Sequence, residues 1–469
     1  MQQWRHRIWL QLLAVFISAG TAGGTSVPSL VIWELISPRT QESDYPKTGN
    51  DITLSGAYAD GSAPADRSFD SAFAQIASSG GTVLLPPGKY LINSLTVPRN
   101  VTLRFRRGAV LRLAPASTLN IDGLIEAGPY TIFEGEGRVR FGPGPSTDVL
   151  PDWWGIVYGD PSVDNSKSIQ QAVNSVNPYG HLGKRISFGA GRICVRTTIR
   201  FASGILFSGA GASNAYGGTR IEPVNMAGDT VFVFDERRTT RWFHHGGFEN
   251  IFISPQDSSD RPFAAISIAQ MGENAILRNL VIYDCTFGIE LGNGRLADIE
   301  KRFEHQVSAN LQALSLHANT GAGIIIRKST GLVVIDMLSG DDNGTILTAD
   351  SCSTTLSIVV TGLKTEGPNT KGRSPSIELK NSYCSLTITG GWLVVPKGTI
   401  NASVIEISGT QGMPRITISG VSTLNYTNAI NDIVSNTTVS AYIRTGVHSV
   451  PRAGVYYNHV PEAFGTTHK

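Results

Sequence analysis

Charge is the scarcest commodity in this chain. Charged residues make up 16% of its 469 positions, against about 25% in an ordinary soluble domain. The two signs nearly cancel, with 39 Lys+Arg against 37 Asp+Glu and a net charge of +2. A chain without a basic surplus has no electrostatic footprint for nucleic acid, so generic nucleic-acid binding is excluded. Cysteine is almost as sparse. The four, Cys194, Cys285, Cys352 and Cys384, follow no metal-ligand spacing, which excludes a structural zinc module. Pairing of Cys352 with Cys384 stays open, because both precede strand-like segments of consecutive repeats, in registers that differ by about four residues. Long apolar runs are missing too. Ile8–Ala19 is shorter than the ~20 residues needed to span a bilayer. It follows Arg5 and Arg7 and leads into small residues, the layout of a secretory signal peptide. The expectation is therefore a signal peptide over 1–24, no transmembrane span, and a secreted, extracellular or periplasmic protein.

Glycine is abundant instead, at 51 residues, and it punctuates many short segments of strand period. From Phe248 onward these read "ENIFIS", "RNLVIY", "QALSLH", "LVVIDM", "LSIVVT", "SLTITG" and "PRITIS". Each has apolar residues two apart. Aligned on Ile253, Ile282, Leu316, Ile335, Val360, Ile388 and Ile418, the steps are 29, 34, 19, 25, 28 and 30. A second series alternates with the first: "AISIA", "GIELG", "GIIIR", "TILTA", "SIELK" and "VIEIS", aligned on Ile266, Ile289, Ile324, Ile346, Ile377 and Ile405. Repetition at such a period marks a solenoid, in which each turn buries its apolar face by stacking on the next. The predicted fold class is all-β, a right-handed single-stranded parallel β-helix with short N-terminal capping helices.

The stretch "SGGTVLLPPGKYLI" (Ser79–Ile92) fits this picture. A helix-like "FDSAFAQIAS" precedes it, and strand, sharp turn and strand follow. A similar order recurs when the helix-like "SIQQAVNSV" precedes "GKRISFGAGRICV". Helices closing the open end of a solenoid would protect its pairing edges. The segments "GGTVLLPPGKYLI", "SLTVPRNVTLRF" and "DWWGIVYGDPSVDNSKSIQQAVNSV" resemble openings in the pectate-lyase-like superfamily of right-handed parallel β-helices, and the resemblance covers about residues 50–425. It implies the fold; the superfamily includes lyases, hydrolases, epimerases and inert fibres, so it does not by itself imply a reaction. Two openings predict a linker over 25–44, a small module over 45–150, a main β-helix over 151–425 and a C-terminal cap or tail over 426–469.

Loop lengths predict a groove along the outer face of the first series. The long loops 235–247 and 292–310 flank a short one, and long insertions gather on a solenoid's binding face. Arg237, Arg241, Trp242 and His245 on one wall, and Arg302 on the other, suit an anionic sugar polymer: guanidinium forks onto carboxylate and indole stacks on a sugar ring. Glu273 and Arg327 join this binding set. One step beyond the aligned residues, Tyr283, His317 and Asp336 fall in one outward row and are the catalytic candidates. A histidine oriented by a carboxylate, beside a phenol, suits β-elimination at a uronic acid, with Arg302 or Arg327 as the cation for the developing charge. A hydrolase would instead need two carboxyls, from Asp336 with Asp341 or Asp342, or from Glu273 with Glu304. "HANTGAGI" followed by "SGDDNG" partly resembles polygalacturonase motifs, but Gly321 stands where that family has aspartate. No cofactor is expected. A calcium site at Asp341 and Asp342 is the one metal possibility. The predicted activity is cleavage of an acidic polysaccharide by a monomer or homotrimer; the alternative is a non-catalytic glycan-binding or tailspike-like fibre.

Overall fold

The computed structural model describes residues 50–176, 183–213, 217–234, 243–272, 274–292, 305–366, 376–394, 405–408, 412, 414–424, 433–435 and 442–449. All lie in one compact unit, Gly49–Lys469. The expected signal peptide, the linker and most of the C-terminal tail lie outside the described residues. Among those residues no helix is long and apolar enough to cross a membrane.

The chain is a parallel β-helix. Two sheets, of four and five strands, take up residues 50–141, and two longer sheets, of 13 and nine strands, run from residue 148 to residue 449. Parallel strands need a long crossover between them; here the crossover is the rest of the coil, which carries the second-series strand. That second series runs in the register Ile266, Ile289, Ile324, Leu347, Ile377, Ile405. Five of the six aligned residues are as expected, and Leu347 replaces Ile346. The first residues of the long solenoid pack an aromatic core. Phe207 lies in register with Phe248, and their rings stack at 4.7 Å between centroids. Phe201 meets both edge-on, at 5.4 and 5.3 Å. Offset and edge contacts of this kind add about 0.5–1.5 kcal/mol per pair beyond burial.

Each first-series strand contains a corner. Asn250, Asn279, Ala313, Met337, Gly362, Gly390 and Gly420 all have positive φ, from 49° to 67°, and they stack coil upon coil. Such a residue turns the chain without breaking the ladder, because the left-handed conformation re-aims the strand within one position. Asparagine and glycine accept it most readily. Asn279 Nδ2 also donates to Asn250 Oδ1 at 2.8 Å.

This corner changes the predicted alignment. Ile253, Ile282 and Leu316 share an inner column after the corner, and the next member is Gly340, followed by Thr365 and Leu393. Ile335 belongs to the column before the corner, with Leu277, Leu311, Val360 and Ile388. Ile253, Ile282, Leu316 and Thr365 of the first column and Leu277, Leu311, Ile335, Val360 and Ile388 of the second are buried, so the stacked tube stands, but Ile335 is not beneath Leu316. The physical reason is Gly340. It occupies an inward position without a side chain, so no apolar residue marks that position past the turn, and the alignment falls on Ile335, before it.

The two helices form where expected, at Asp66–Gln75 and Ser166–Val176. In the first, Phe69, Ala72 and Phe73 face inward, and Phe69 meets Tyr90 edge-on at 6.4 Å. Asp66 accepts the backbone N–H groups of Asn93 and Ser94, at 3.0 and 2.7 Å, and so ties the helix to the strand Gly88–Val97. The two prolines of the opening stretch make the turn between strands Gly81–Leu85 and Gly88–Val97, and Tyr90 Oη donates to the Pro86 carbonyl at 2.9 Å. The four cysteines are free and buried. Burial pushes the Cys352 thiol up to about 11 and the Cys384 thiol up to about 12. The Cys352–Cys384 pairing left open by the sequence is not formed.

Candidate active site

The register decides which outward side chains meet. Tyr283 pairs with His317, and His317 pairs with Asp341. Asp336 lies on the other side of the corner, paired with Gln312 and Thr361. Its carboxylate accepts from Thr361 Oγ1 at 2.7 Å. The expected row is therefore corrected at its third member: Asp341 stands where Asp336 was placed, for the reason just given.

His317 is held on three sides. Its ring stacks on Tyr283, with centroids 4.4 Å apart and planes 17° from parallel. Nδ1 is hydrogen-bonded to Asp341 Oδ1. Nε2 lies 2.6 Å from Ser315 Oγ, two residues back on the same strand and hence on the same face. An ionised carboxylate only accepts, so Asp341 assigns the proton to Nδ1 and leaves Nε2 as the acceptor for the serine hydroxyl. Ser339, opposite Ser315 on the next coil, donates to the Leu314 carbonyl at 3.1 Å and lies 3.3 Å from Ser315 Oγ. Side-chain exposure is 17% for His317 and 42% for Asp341, so the imidazole is fixed yet reachable. Burial first, then the charges of Asp341 and Asp284, holds the Tyr283 phenol above its ordinary range. The phenol therefore stays protonated at neutral pH.

A second corner anchors the row from below. Asp284, Ala318 and Asp342, each one step past it, all have positive φ. Buried Asn319 and Asn343 follow: Asn319 Nδ2 donates to Asn343 Oδ1 at 2.9 Å, Asn319 Oδ1 accepts from the Cys285 backbone at 3.1 Å, and Asn343 Nδ2 donates to the Leu316 carbonyl at 2.6 Å. Asn319, read from the sequence as part of a hydrolase motif, thus joins Asn343 in an internal asparagine ladder. Buried, hydrogen-bonded amides rigidify what they hold, here the ends of the strands that carry Tyr283, His317 and Asp341.

The outer face continues on both sides. One coil back, Phe252 meets Tyr283 edge-on at 5.4 Å, with the Arg220 guanidinium 5.2 Å from its ring centre. The column Val281, Ser315, Ser339 runs on through Lys364 to Trp392, and Trp392 is 44% exposed. Sequence reasoning missed Ser315, Lys364 and Trp392, all outward residues at period two.

The remaining predicted binding residues scatter. Arg327 lies on the second-series strand Ala322–Arg327. It is engaged by Glu290 at 3.3 Å and Asp350 at 3.5 Å and lies over the Phe287 ring, and this corrects its assignment as a groove cation. His245 is exposed and shares a hydrogen bond with Asn274 at 3.3 Å. Arg237, Arg241, Trp242, Glu273 and Arg302 lie outside the described residues. The predicted loop 292–310 ends earlier than expected, since His305 already begins the strand His305–His317. Among the described residues no three His, Cys, Asp or Glu side chains gather as a metal site, and Asp341 is taken by His317.

No family model and no curated protein matches the chain. Solved structures do resemble it. ORF18 of Geobacillus virus E2 is 18% identical with a TM-score of 0.44, over 64% of this chain and 62% of that one. The phiAB6 tailspike, solved with oligosaccharides of Acinetobacter baumannii surface polysaccharide, is 15% identical with a TM-score of 0.36, over 59% of this chain and 47% of that one. The catalytic unit of a GH87 α-1,3-glucanase from Streptomyces thermodiastaticus is 13% identical with a TM-score of 0.38, over 88% of this chain and 70% of that one. The chain spans less than two thirds of the length of the first two. Likeness at this level says nothing about chemistry.

Proposed function

We propose that the protein cleaves an acidic polysaccharide bound along the outer face of its first-series sheet, with His317 as the proton-transfer group. One observation carries this reading: an imidazole with a fixed tautomer, clamped by Tyr283, Ser315 and Asp341 on a face that solvent reaches. Asp341 orients the ring and stabilises the imidazolium that forms when Nε2 takes a proton. In β-elimination that proton comes from the carbon beside a uronic carboxylate. Tyr283, kept protonated by its surroundings, donates to the departing glycosidic oxygen. Lys364 lies one coil beyond Asp341's strand and offers a cation to the sugar carboxylate, whose charge grows in the transition state. Exposed Trp392 gives a ring a stacking platform.

Two observations favour elimination over hydrolysis. Hydrolysis needs two carboxyls facing the same bond. Asp341 is committed to His317, and Asp336 is across the corner. The test is incubation of the purified chain with acidic and neutral glycans, following ultraviolet absorbance from unsaturated ends and, separately, reducing ends. Elimination predicts both signals on an acidic glycan, with loss of both in His317→Ala. Reducing ends without absorbance would replace the lyase by a hydrolase, and silence across the acidic panel would leave only a binding face.

A further inference from the structure

The lyase chemistry uses the Ser315 hydroxyl only to hold the ring, although that hydroxyl is reactive in its own right. Ser315 Oγ sits 2.6 Å from His317 Nε2, the nitrogen that works as the base, while Asp341 holds the opposite nitrogen. A hydroxyl on the base, and a carboxylate orienting that base, is the arrangement that activates a serine for acyl transfer wherever it occurs. We propose that Ser315, His317 and Asp341 form an esterase centre that removes a short O-acyl group from a sugar hydroxyl. The sugar's place on this face rests on the reading above; the acyl chemistry does not.

Local structure explains why a plain strand can build this centre. Ser315 and His317 are two residues apart, so strand period alone puts them on one face. The parallel register then sets Asp341 beside His317 and Ser339 beside Ser315. The four groups thus form two pairs, His317–Asp341 and Ser315–Ser339, whose members sequence separates by 24 residues but stacking makes neighbours. Val281 lies beside Ser315 in the same column and gives the outward face an apolar neighbour for a short acyl chain.

The step balances as follows. Ser315 Oγ attacks the ester carbonyl carbon, and its proton passes to His317 Nε2. The bond from that carbon to the sugar oxygen breaks, and the sugar oxygen takes the proton from His317. Water, deprotonated by the same nitrogen, then attacks the acyl-serine. The carboxylic acid leaves and Ser315 is restored. The hydroxyl of Ser339, 3.3 Å from the nucleophile, is the donor placed to turn from the Leu314 carbonyl toward the developing oxyanion.

The experiment uses the full chain. A fluorophosphonate probe is added to the native protein and the adduct mapped by mass spectrometry, and acetate release is followed on an O-acetylated polyuronate. The expected results are an adduct on Ser315 and acetate release that falls about a millionfold, to background, in Ser315→Ala, the scale seen when a nucleophile of this kind is removed. The urea midpoint of Ser315→Ala checks that it is folded, and the adduct on the unmutated protein does not depend on that variant at all. Absence of an adduct on Ser315 with no acetate release, or acetate release undiminished in Ser315→Ala, overturns the proposal. Acetate release without chain cleavage would sink the lyase reading and leave this one standing. Chain cleavage without acetate release would do the reverse.

Discussion

Gly340 is where the register can be tested most sharply. Its position in the inner column, between Leu316 and Thr365, means that a methyl group there has no space. A Cβ would lie 2.0 Å from the Leu316 carbonyl oxygen, 2.6 Å from Ile346 Cδ1 and 2.8 Å from Asn343 Nδ2. The first obstacle is backbone in a continuous ladder and cannot swing aside. Overpacking of this kind costs about 1–3 kcal/mol. The same oxygen accepts the buried amide of Asn343, and a buried donor left without its acceptor costs about 1–3 kcal/mol more. The sum for Gly340→Ala is about 4 kcal/mol. Gly390→Ala is the control: it is a corner glycine at φ 67° with nothing within 4 Å of the added carbon, so it bears only the left-handed penalty of about 1 kcal/mol. At an m-value of about 3 kcal/mol/M, urea unfolding should show midpoint losses of about 1.3 M and 0.3 M. If the two variants unfold together, position 340 is not in the inner column, and the row Tyr283–His317–Asp341 loses its basis.

The same register separates two aspartates. Asp341→Asn should lower the rate on any responsive glycan by at least about a hundredfold, as loss of a base's orienting partner does, while Asp336→Asn stays within about twofold; the two rates side by side check this. Tyr90, whose phenol burial and the Asp51 charge push up to about 12, sets an alkaline limit. The folded form binds the phenolic proton more tightly than the unfolded chain, whose phenol titrates near ~10. The stabilisation is thus whole below pH ~10 and is lost as pH rises toward 12. Urea midpoints should fall across that window, and Tyr90→Phe should flatten the fall. A thiol reagent should find no reactive cysteine in the native chain and four after denaturation, since all four are buried and free; two after denaturation without reductant would instead mean a disulfide.

Much of the architecture was legible along the chain, because a solenoid writes its core as local periodicity. Apolar residues two apart mark each strand, and their return every coil marks the stacking. Both capping helices could be read for the same reason: the apolar spacing of Phe69, Ala72 and Phe73 is helical, and a helix of that pattern must bury one side. Tyr283 and His317 were legible as neighbours because their coils share the same apolar pattern right up to the strand end. Even the slip at Asp336 left a trace. The alignment step of 19 is shorter than any other, and moving from Ile335 to Gly340 makes it 24 (340 − 316).

Tertiary structure alone decided the corner, and with it the site. A left-handed residue can be asparagine, alanine, methionine or glycine, as Asn279, Ala313, Met337 and Gly362 show, so composition does not mark where a strand turns. Whether Asp336 or Asp341 faces His317 depends on that one residue's φ, which side-chain pattern does not encode. Ser315 and Trp392 gained significance the same way. Each is an ordinary outward residue in its own strand, and only the parallel ladder sets a second hydroxyl beside the serine and a carboxylate beside its imidazole neighbour. Periodicity along the chain determined that this protein is a stacked tube; hydrogen-bond register across its coils determined which side chains meet, because contacts between coils are made by residues some two dozen or more positions apart.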